Sequence, residues 1–366
     1  MEVAVSNCAW GGGGVNYQLY GEDDDENADG ELEVEIEEGK QFKHVRGHFQ
    51  CDQTIPVDSP VLRICALPFE NNIIAVKTAT GVVTVYNTLQ QDEEGGESSP
   101  EAITDAVLDG SRVGGFGLAW SPVKIGFLAS AGDDGLLQYW DVRHQLSVDL
   151  KEHTDRAEDA HGPLVAAAHT FTGHRDSITS CDWHHSQGHL LATSGLDGDL
   201  RLWDIRTSKC AGTVPSAHEG GALCCQFHPS SAHQLTSSGA DGSLHLYDIR
   251  KTMAPPLLTL DYHGKAVYRF SWSPFAESVL CSAGDDGRVV LWDISKSTVS
   301  ASYTSRVAPP EVSFLHLGHL GKVTDVAWCT SVEEPWLLAS TDSSNGLQLY
   351  RPREEVVKDH LSVFEW

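Results

Sequence analysis

The feature that most constrains the fold of this chain is a short sequence unit that recurs along it. The clearest copy, TSGLDGDLRLWDIR at 193–206, joins small residues, an Asp-Gly turn and an alternating apolar stretch that ends in Trp-Asp. Close copies are SAGDDGLLQYWDVR, SSGADGSLHLYDIR and SAGDDGRVVLWDIS, and weaker ones stand at 78–88 and 340–353. Six copies in one chain indicate a repeated architecture.

The spacing of the copies matches that of propeller blades. Their closing aromatic residues are Tyr86, Trp140, Trp203, Tyr247, Trp292 and Tyr350. These lie 54, 63, 44, 45 and 58 residues apart, and the two shortest intervals match a blade period of about 40–45 residues. Short strands with two-residue alternation and Gly/Asp turns between them are typical of an antiparallel sheet. The chain is therefore predicted to be an all-β WD-repeat β-propeller.

We expect seven blades, the first of them degenerate or incomplete. Residues 1–57 are assigned to this partial first blade and its acidic loop, with EVAVSNC and ELEVEIEE as strands and FKHVRGHFQ as a further candidate strand. Residues 58–352 are assigned to blades two to seven, and 353–366 to a C-terminal tail whose pattern allows a helix. Two alternatives for the incomplete start are closure of the ring by the tail and a longer natural chain.

The charge and composition exclude several classes of function. With 52 acidic and 25 basic residues the chain carries a formal net charge of −27, which repels nucleic acid and anionic membranes and favours basic partners. The acidic runs at 21–38 and 92–101 are solvated loops or, alternatively, an electrostatic lure for a basic protein. No run approaches the roughly 18 apolar residues of a membrane span, no secretory signal opens the chain, and nine scattered cysteines indicate reduced intracellular thiols.

A recurring set of His, Asp and aromatic residues is interpreted as a structural network. The turn Asp accepts hydrogen bonds from turn amides and from a His that opens the blade, while the Trp donates its indole N–H to the same buried group. The expected members are His174, Asp197, Trp203, His218, Asp241, His263, Asp286, Trp292, Asp134, Trp140 and His319. Catalytic triads are the alternative, but no enzyme needs four copies of one.

No motif for a cofactor or metal accompanies the repeats. HHSQGH at 184–189 and the pair Cys224–Cys225 lack metal-ligand spacing, and GGGG at 11–14 lacks the strand–helix context of a phosphate loop. We therefore expect a protein that is not an enzyme, with no catalytic residue, no metal and no cofactor.

Several segments resemble one family of propellers in particular. APPEVSFLHLGHLGKVTDVAWCTSVEEPWLLAS at 308–340, AVYRFSWSPFAESVLCSAGDDGRVVLWDISK at 266–296 and ENNIIAVKTATGVVTVYN at 70–87 are similar to blades of the WD-repeat histone-binding chaperones. These are the relatives of retinoblastoma-binding proteins and of the small subunit of chromatin assembly factor 1. The resemblance covers about 58–352, and its Pro-Pro-Glu and Glu-Pro-Trp motifs are more specific than the Trp-Asp units.

The resemblance implies two sites for histones. One is a side groove that holds a helix of histone H4 between a long N-terminal helix and a Pro-Pro loop, carried here by Pro309, Pro310, Glu311 and Phe314. The expected acidic cluster before the loop is replaced by SKSTVSASYTSRVA at 295–308, and no long helix precedes the first blade. Half of this groove is therefore expected to be absent or supplied otherwise.

The second implied site is the mouth of the central channel, which holds basic tails such as that of histone H3. Family glutamates fall at Pro60, Gly114, Thr179, Gly221, Ala266 and Ser343, and a family asparagine falls at Leu223. The family residues that persist are Arg63, Phe116, Tyr268 and Lys322. A basic tail loses its charged partners here, whereas a less basic peptide could use the two aromatic residues as a floor.

The function expected from this resemblance is a non-enzymatic, nuclear histone-binding or scaffold subunit of chromatin assembly or modifying complexes. Its partners are histones H3/H4 or other basic protein segments, together with subunits of such complexes, and not nucleic acid directly or a membrane. The alternative is a WD-repeat assembly factor outside chromatin, for example in ribosome biogenesis, with the cytoplasm as a second location.

Overall fold

The computed structural model describes residues 2–8, 15–19, 49–88, 103–110, 112–146, 163–251, 255–297, 308–331, 335–353 and 356–357. The predicted acidic runs at 21–38 and 92–101, the strand ELEVEIEE and most of the predicted tail at 353–366 lie outside these residues. The described chain is a β-propeller built almost entirely of strands. No described helix has the length and apolar character that a membrane crossing requires.

The N-terminal strands form a sheet that does not follow the blade pattern. Its members are β1 (Glu2–Cys8), β2 (Val15–Leu19) and β3 (Phe49–Pro56). They are arranged in the order β2-β1-β3, so that the first strand of the chain lies in the middle. A blade instead adds its strands outward in chain order, which is why this sheet is not a degenerate first blade. The expectation of seven blades is therefore wrong, and the described residues give six.

The six blades follow one another along the chain. Blade 1 begins with β4 (Val61–Leu67), β5 (Glu70–Thr78), β6 (Val83–Asn87) and β7 (Ile103–Asp109). Blade 2 contains β8 (Gly117–Trp120), β9 (Phe127–Ala131) and β10 (Leu137–Asp141), after which come α1 (Arg143–Leu146), β11 (Leu164–Ala166) and β12 (His169–Phe171). Blade 3 contains β13 (Ile178–Trp183), β14 (Leu190–Gly195), β15 (Leu200–Asp204) and β16 (Lys209–Val214).

The last three blades repeat the same order. Blade 4 contains β17 (Ala222–Phe227), β18 (Gln234–Gly239), β19 (Ser243–Asp248) and β20 (Leu258–Asp261). Blade 5 contains β21 (Val267–Trp272), β22 (Val279–Gly284), β23 (Val289–Asp293) and β24 (Val312–His316). Blade 6 contains β25 (Val323–Trp328), β26 (Leu338–Asp342) and β27 (Leu347–Tyr350). Single 3₁₀ turns follow β19 and β23, at Ile249–Lys251 and Ile294–Lys296.

Strand β11 connects blades 1 and 2. After β10 the chain leaves blade 2, and β11 joins the outer edge of blade 1 by pairing parallel to β7. The chain then returns to blade 2, where β12 pairs antiparallel to β10. The insertion at 144–168 thus links two neighbouring blades in addition to lengthening a loop.

Adjacent blades pack face to face through aromatic and branched side chains. Within each of the two halves of the described chain, the alternation of apolar residues along the strands places one set in each junction between neighbouring blades. These junctions bury tryptophan, as Trp140, Trp183 and Trp292 illustrate with at most 2% of their surface exposed. A tryptophan that ends the first strand also ties one blade to the blade before it. The indole N–H donates to a backbone carbonyl there, over 3.1 Å from Trp120 to Cys65, 3.0 Å from Trp183 to Ala119 and 3.0 Å from Trp328 to Ser271.

The described chain divides into two compact units, one with the N-terminal sheet and blades 1 to 3 and one with blades 4 to 6. Because the strands of a blade are antiparallel, its loops fall at two ends. The upper end carries the loop between the second and third strands and the loop that enters the next blade. The lower end carries the other two turns.

Candidate functional site

The predicted His, Asp and aromatic residues form a hydrogen-bonded group in blade 3. His174 Nδ1 lies 3.0 Å from Asp197 Oδ1, and the Arg175 amide donates to the same carboxylate over 2.9 Å. His174 Nε2 lies 2.7 Å from Thr193 Oγ1, which also accepts the Trp203 indole N–H over 2.8 Å. His174, Asp197, Thr193 and Trp203 thus bond to one another within the blade.

Blades 4 and 5 repeat this arrangement with serine as the central hydroxyl. His218 pairs with Asp241 over 3.1 Å and with Ser237 over 2.7 Å. His263 pairs with Asp286 over 3.1 Å and with Ser282 over 2.7 Å, and Trp292 donates to the same serine over 2.7 Å. The recurrence of the same His–Asp and His–hydroxyl bonds in blades 3, 4 and 5 supports a structural role for these residues.

Blade 6 contains a member that the sequence analysis missed. His319 pairs with Asp342 over 2.8 Å and with Ser340 over 2.6 Å. Asp342 stands 23 residues after its histidine, as Asp197, Asp241 and Asp286 do after theirs. This constant offset was the available signal, and the unusual turn sequence DSSNG concealed it.

Blade 2 departs from the pattern. Trp140 donates its indole N–H to the Asp109 backbone oxygen over 3.2 Å rather than to a hydroxyl. Asp134 accepts from the Leu136 amide over 3.1 Å and so closes its own turn. A Cβ on Gly110 would approach the Trp140 ring to 2.6 Å, so the ring occupies the space beside this glycine.

Hydrogen bonds stabilise two of the network carboxylates, Asp241 and Asp342, in the ionised form. Burial opposes ionisation of Asp241, but hydrogen bonds from His218 and Ser243 outweigh it and hold the pKa of that carboxyl well below its ordinary value. The same opposition between burial and hydrogen bonds, here from Ser344 and His319, lowers the pKa of Asp342. These groups lock the upper turns in place.

Two of the residues predicted at the channel mouth meet at the upper end of blades 5 and 6. Lys322 Nζ lies 2.6 Å from Asp285 Oδ1, and the Tyr268 hydroxyl donates to the same oxygen over 3.2 Å. The hydrogen bond from Lys322 is the main cause that holds the pKa of Asp285 below its usual range. Lys265 approaches the other carboxylate oxygen to 3.9 Å. Asp285 is not among the predicted site residues. The sequence GDDG nevertheless marks it, because Asp286 alone binds His263 and leaves Asp285 for another role.

The Asp285 cluster is an exposed group of paired charges at the upper end of blades 5 and 6. Its carboxylate already faces two ammonium groups, and a further ion pair joins Arg269 to Asp325 over 4.0 Å. A basic peptide that binds here must compete with these lysines for Asp285.

The other two predicted mouth residues belong to the first unit. Arg63 lies half-buried on β4 of blade 1, while Phe116 precedes β8 of blade 2 with 53% of its surface exposed. Nearby, Lys77 is 1% exposed and donates from Nζ to the Ala131 backbone oxygen over 2.7 Å. Burial lowers the pKa of Lys77 to about 8. No motif in the sequence marks this lysine as buried.

The Pro-Pro segment lies at the lower, outer corner of blade 5. Pro310 is exposed, Pro309 is half-buried, and the Val312 amide donates to the Pro309 oxygen over 3.0 Å to form a turn before β24. Glu311 is 5% exposed, and its backbone oxygen accepts from the Asp293 amide over 2.7 Å. The ring of half-buried Phe314 stands 6.4 Å from that of Tyr350 in blade 6. The prolines therefore present a rigid surface, whereas Glu311 and Phe314 mainly anchor it.

Among the described residues, no group of three or more His, Cys, Asp or Glu side chains is arranged to hold a metal ion. Within the described part of the chain, the Asp285 cluster and the Pro-Pro segment are two surfaces that lie open to a partner.

Comparison with known proteins agrees with this architecture. The model of the WD domain, G-beta repeat, matches residues 166–204, 208–248 and 254–293. The chain is 29% identical over 368 residues to WD-40 repeat-containing protein MSI3 of Arabidopsis thaliana, across 88% of this chain and 72% of that protein. It is 26% identical over 299 residues to histone acetyltransferase type B subunit 2 of Candida glabrata, across 81% of this chain and 64% of that protein. The chain thus spans less than two thirds of the second relative.

Proposed function

We propose that this chain, a WD-repeat β-propeller related over most of its length to MSI3 and to a histone acetyltransferase type B subunit 2, is a histone-binding or scaffold subunit. It acts without catalysis in chromatin assembly or modifying complexes in the nucleus. The observation that carries the proposal is this relationship, since one relative is named as a subunit of a histone-modifying enzyme. The partners are histones H3/H4 or other basic segments and the remaining subunits.

The Pro-Pro segment supports a side groove on blade 5. Pro309 and Pro310 have fixed φ angles and so lose little conformational entropy when a partner binds. The ring of Phe314 and its contact with blade 6 hold the segment from behind. A helix that lies across these prolines gains apolar contact without ordering a flexible loop.

The upper surface supports a weaker and more selective contact. The Asp285 cluster offers an aromatic ring and paired charges, and each exposed ion pair contributes only about 0–1 kcal/mol. The net charge of −27 accelerates the arrival of basic partners. In this proposal the net charge sets the rate of association, and the Pro-Pro segment sets the specificity of the complex.

The test is binding of H3–H4, and of a peptide of the first H4 helix, at low salt and at about 0.3 M salt, where exposed charge pairs are largely screened. Pro310→Arg places a cation and a flexible side chain on the exposed proline. Pro255→Arg is the matched control, because Pro255–Pro256 precedes the outer strand β20 of blade 4 in the same way and Pro255 is also exposed.

We expect complexes that survive the higher salt, are weakened by Pro310→Arg and are unaffected by Pro255→Arg. Equal weakening by both variants contradicts the side groove. Loss of all histone binding at about 0.3 M salt, with basic ribosomal proteins bound equally well at low salt, contradicts the histone function itself.

A further inference from the structure

A cleft of about 400 Å³ opens at the lower end of the junction between blades 4 and 5. Four serine hydroxyls, Gln234 and His228 line it together with Glu277 and Ile294. It lies on the blade 4 side of blade 5, whereas Phe314 of the Pro-Pro segment faces blade 6. It is also at the opposite end from the Asp285 cluster, so it belongs to neither surface considered above.

The junction that carries the cleft lacks a bond that other junctions have. Trp120, Trp183 and Trp328 each donate an indole N–H to the preceding blade. Trp272 is the corresponding residue of blade 5, and it is 7% exposed. Among the described residues, nothing accepts a hydrogen bond from its Nε1. Other hydrogen bonds join the two blades, among them His228 Nε2 to the Glu277 backbone oxygen over 2.9 Å and Ser238 Oγ to the Val267 backbone oxygen over 3.0 Å.

A second unpartnered group lies beside the first. Behind Ile294, which also lines the cleft, a small cavity of about 10 Å³ is walled by leucines, and Thr236 and Trp272 both line it. Thr236 is 2% exposed, and its Oγ1 has no hydrogen-bond partner within the described structure. A buried polar group that makes no hydrogen bond is costly. The indole N–H of Trp272 and the hydroxyl of Thr236 are therefore both suited to bind an incoming ligand.

The charge of the cleft identifies the class of ligand. Glu277 is the one charged carboxylate or ammonium side chain among its lining residues, and it is exposed to solvent. The hydroxyls of Ser278 and Ser295 already donate to the Asp293 carboxylate and can still accept. With the other two serines and Gln234 they offer hydrogen bonds suited to a main chain. A polar groove with a single carboxylate and an apolar inner end fits an extended segment that carries a basic residue.

We propose that the cleft and the cavity behind Ile294 form one binding site for an extended basic segment of a partner protein. The cation of the segment pairs with Glu277, the serines and Gln234 bind its main chain, and a carbonyl oxygen accepts from Trp272 when the Ile294 side chain turns aside. This inference rests on the proposed function, because it gives the basic partner a second point of attachment.

The test uses the full chain and a labelled octapeptide of alternating Lys and Asn, which supplies both cations and carbonyl acceptors. Glu277→Gln removes the charge and keeps the shape. Glu219→Gln is the control, because Glu219 is an exposed acid of blade 4 at the upper end. Since Glu277 is exposed, we expect Glu277→Gln to weaken binding about two- to fivefold and Glu219→Gln to leave it unchanged.

A second measurement places the peptide in the molecule. The indole N–H resonance of Trp272 is assigned by its loss in Trp272→Phe, and we expect it to shift when the peptide is added. An unmoved Trp272 resonance, or equal weakening by the two glutamate variants, overturns the cleft. If H3–H4 still binds the wild type under those outcomes, the proposed function stands and the cleft alone fails. If the peptide binds as expected but H3–H4 does not, the proposed function alone fails.

Discussion

The buried hydrogen-bond chain of blade 5 predicts a measurable difference between two equivalent serines. In Ser282→Ala the lost hydroxyl leaves two buried groups without partners, namely the Trp292 indole N–H and His263 Nε2, each 2.7 Å from the serine oxygen. In Ser237→Ala of blade 4 only His218 Nε2 is left, because Tyr247 replaces the tryptophan and its hydroxyl donates to Ala217. Both serines are 0% exposed, so solvent cannot replace the lost bonds.

The magnitude follows from the number of unsatisfied groups. Asp286 accepts from His263 Nδ1 and the Ser282 oxygen accepts from Trp292, so removal of the hydroxyl deprives both the indole N–H and His263 Nε2 of their partner. Each buried group left without a partner costs about 1–3 kcal/mol. We therefore expect Ser282→Ala to lower the free energy of unfolding by about 2–6 kcal/mol and Ser237→Ala by about 1–3 kcal/mol.

The assay is urea unfolding followed by far-ultraviolet circular dichroism, with both variants compared at the wild-type slope m. Ser282→Thr is the control that separates the hydroxyl from the volume, because Thr193 occupies this position in blade 3 and makes both bonds. We expect it to retain most of the stability. Equal losses in the two alanine variants, or a loss in Ser282→Thr as large as in Ser282→Ala, refutes the reasoning.

Three further predictions concern buried groups elsewhere. Burial lowers the pKa of Lys77 to about 8, so between pH 8 and about 10.4 the unfolded chain binds more protons than the folded one. The free energy of unfolding should therefore rise with pH over that interval, by at most about 1.4 kcal/mol per pH unit. Urea midpoints measured at several pH values should show this rise in the wild type and not in Lys77→Met. Thr236→Val should leave the thermal midpoint unchanged or higher, because its hydroxyl is unpartnered, whereas Thr193→Val should lower it; a lower midpoint in both contradicts this. Gly239→Ala should reduce soluble yield and stability, because the Cβ would come within 2.3 Å of the histidine that opens blade 4, while Gly264→Ala, with no atom within 4 Å, should match the wild type.

The repeats predicted the blades because the relevant information is local. Turn, strand and closing aromatic occupy one period, so the paired residues of a network lie only 19 to 23 positions apart in blade 5. Lys77 could not be found in this way, since its partner Ala131 is 54 residues distant and belongs to another blade. The pairing of β11 with β7 could not be predicted either, because a strand of three residues is too short to show a periodic pattern.

The number of blades was mispredicted for a different reason. The strand EVAVSNC is predicted correctly, since β1 occupies Glu2–Cys8. Which strands pair with it cannot be predicted from the composition of the strands. The order β2-β1-β3 arises from backbone pairing between segments far apart in the chain, such as Val3 with Ile55. The mouth and groove residues remain predictions, and the Asp285 cluster shows that neighbours missed by the sequence analysis decide the charge of such a surface.

The parallel pairing of β11 with β7 has a consequence for how this protein can be divided. A repeat protein is usually cut or permuted between units, since each unit contacts only its neighbours. Here any cut between β10 and β12 separates β11 from one of the two blades that it links, and a shuffled or transplanted blade 2 leaves the outer edge of blade 1 uncovered. An uncovered strand edge invites pairing with other chains. Blades 1 and 2 are therefore one module for protein engineering, and new termini belong in the turns of the later blades.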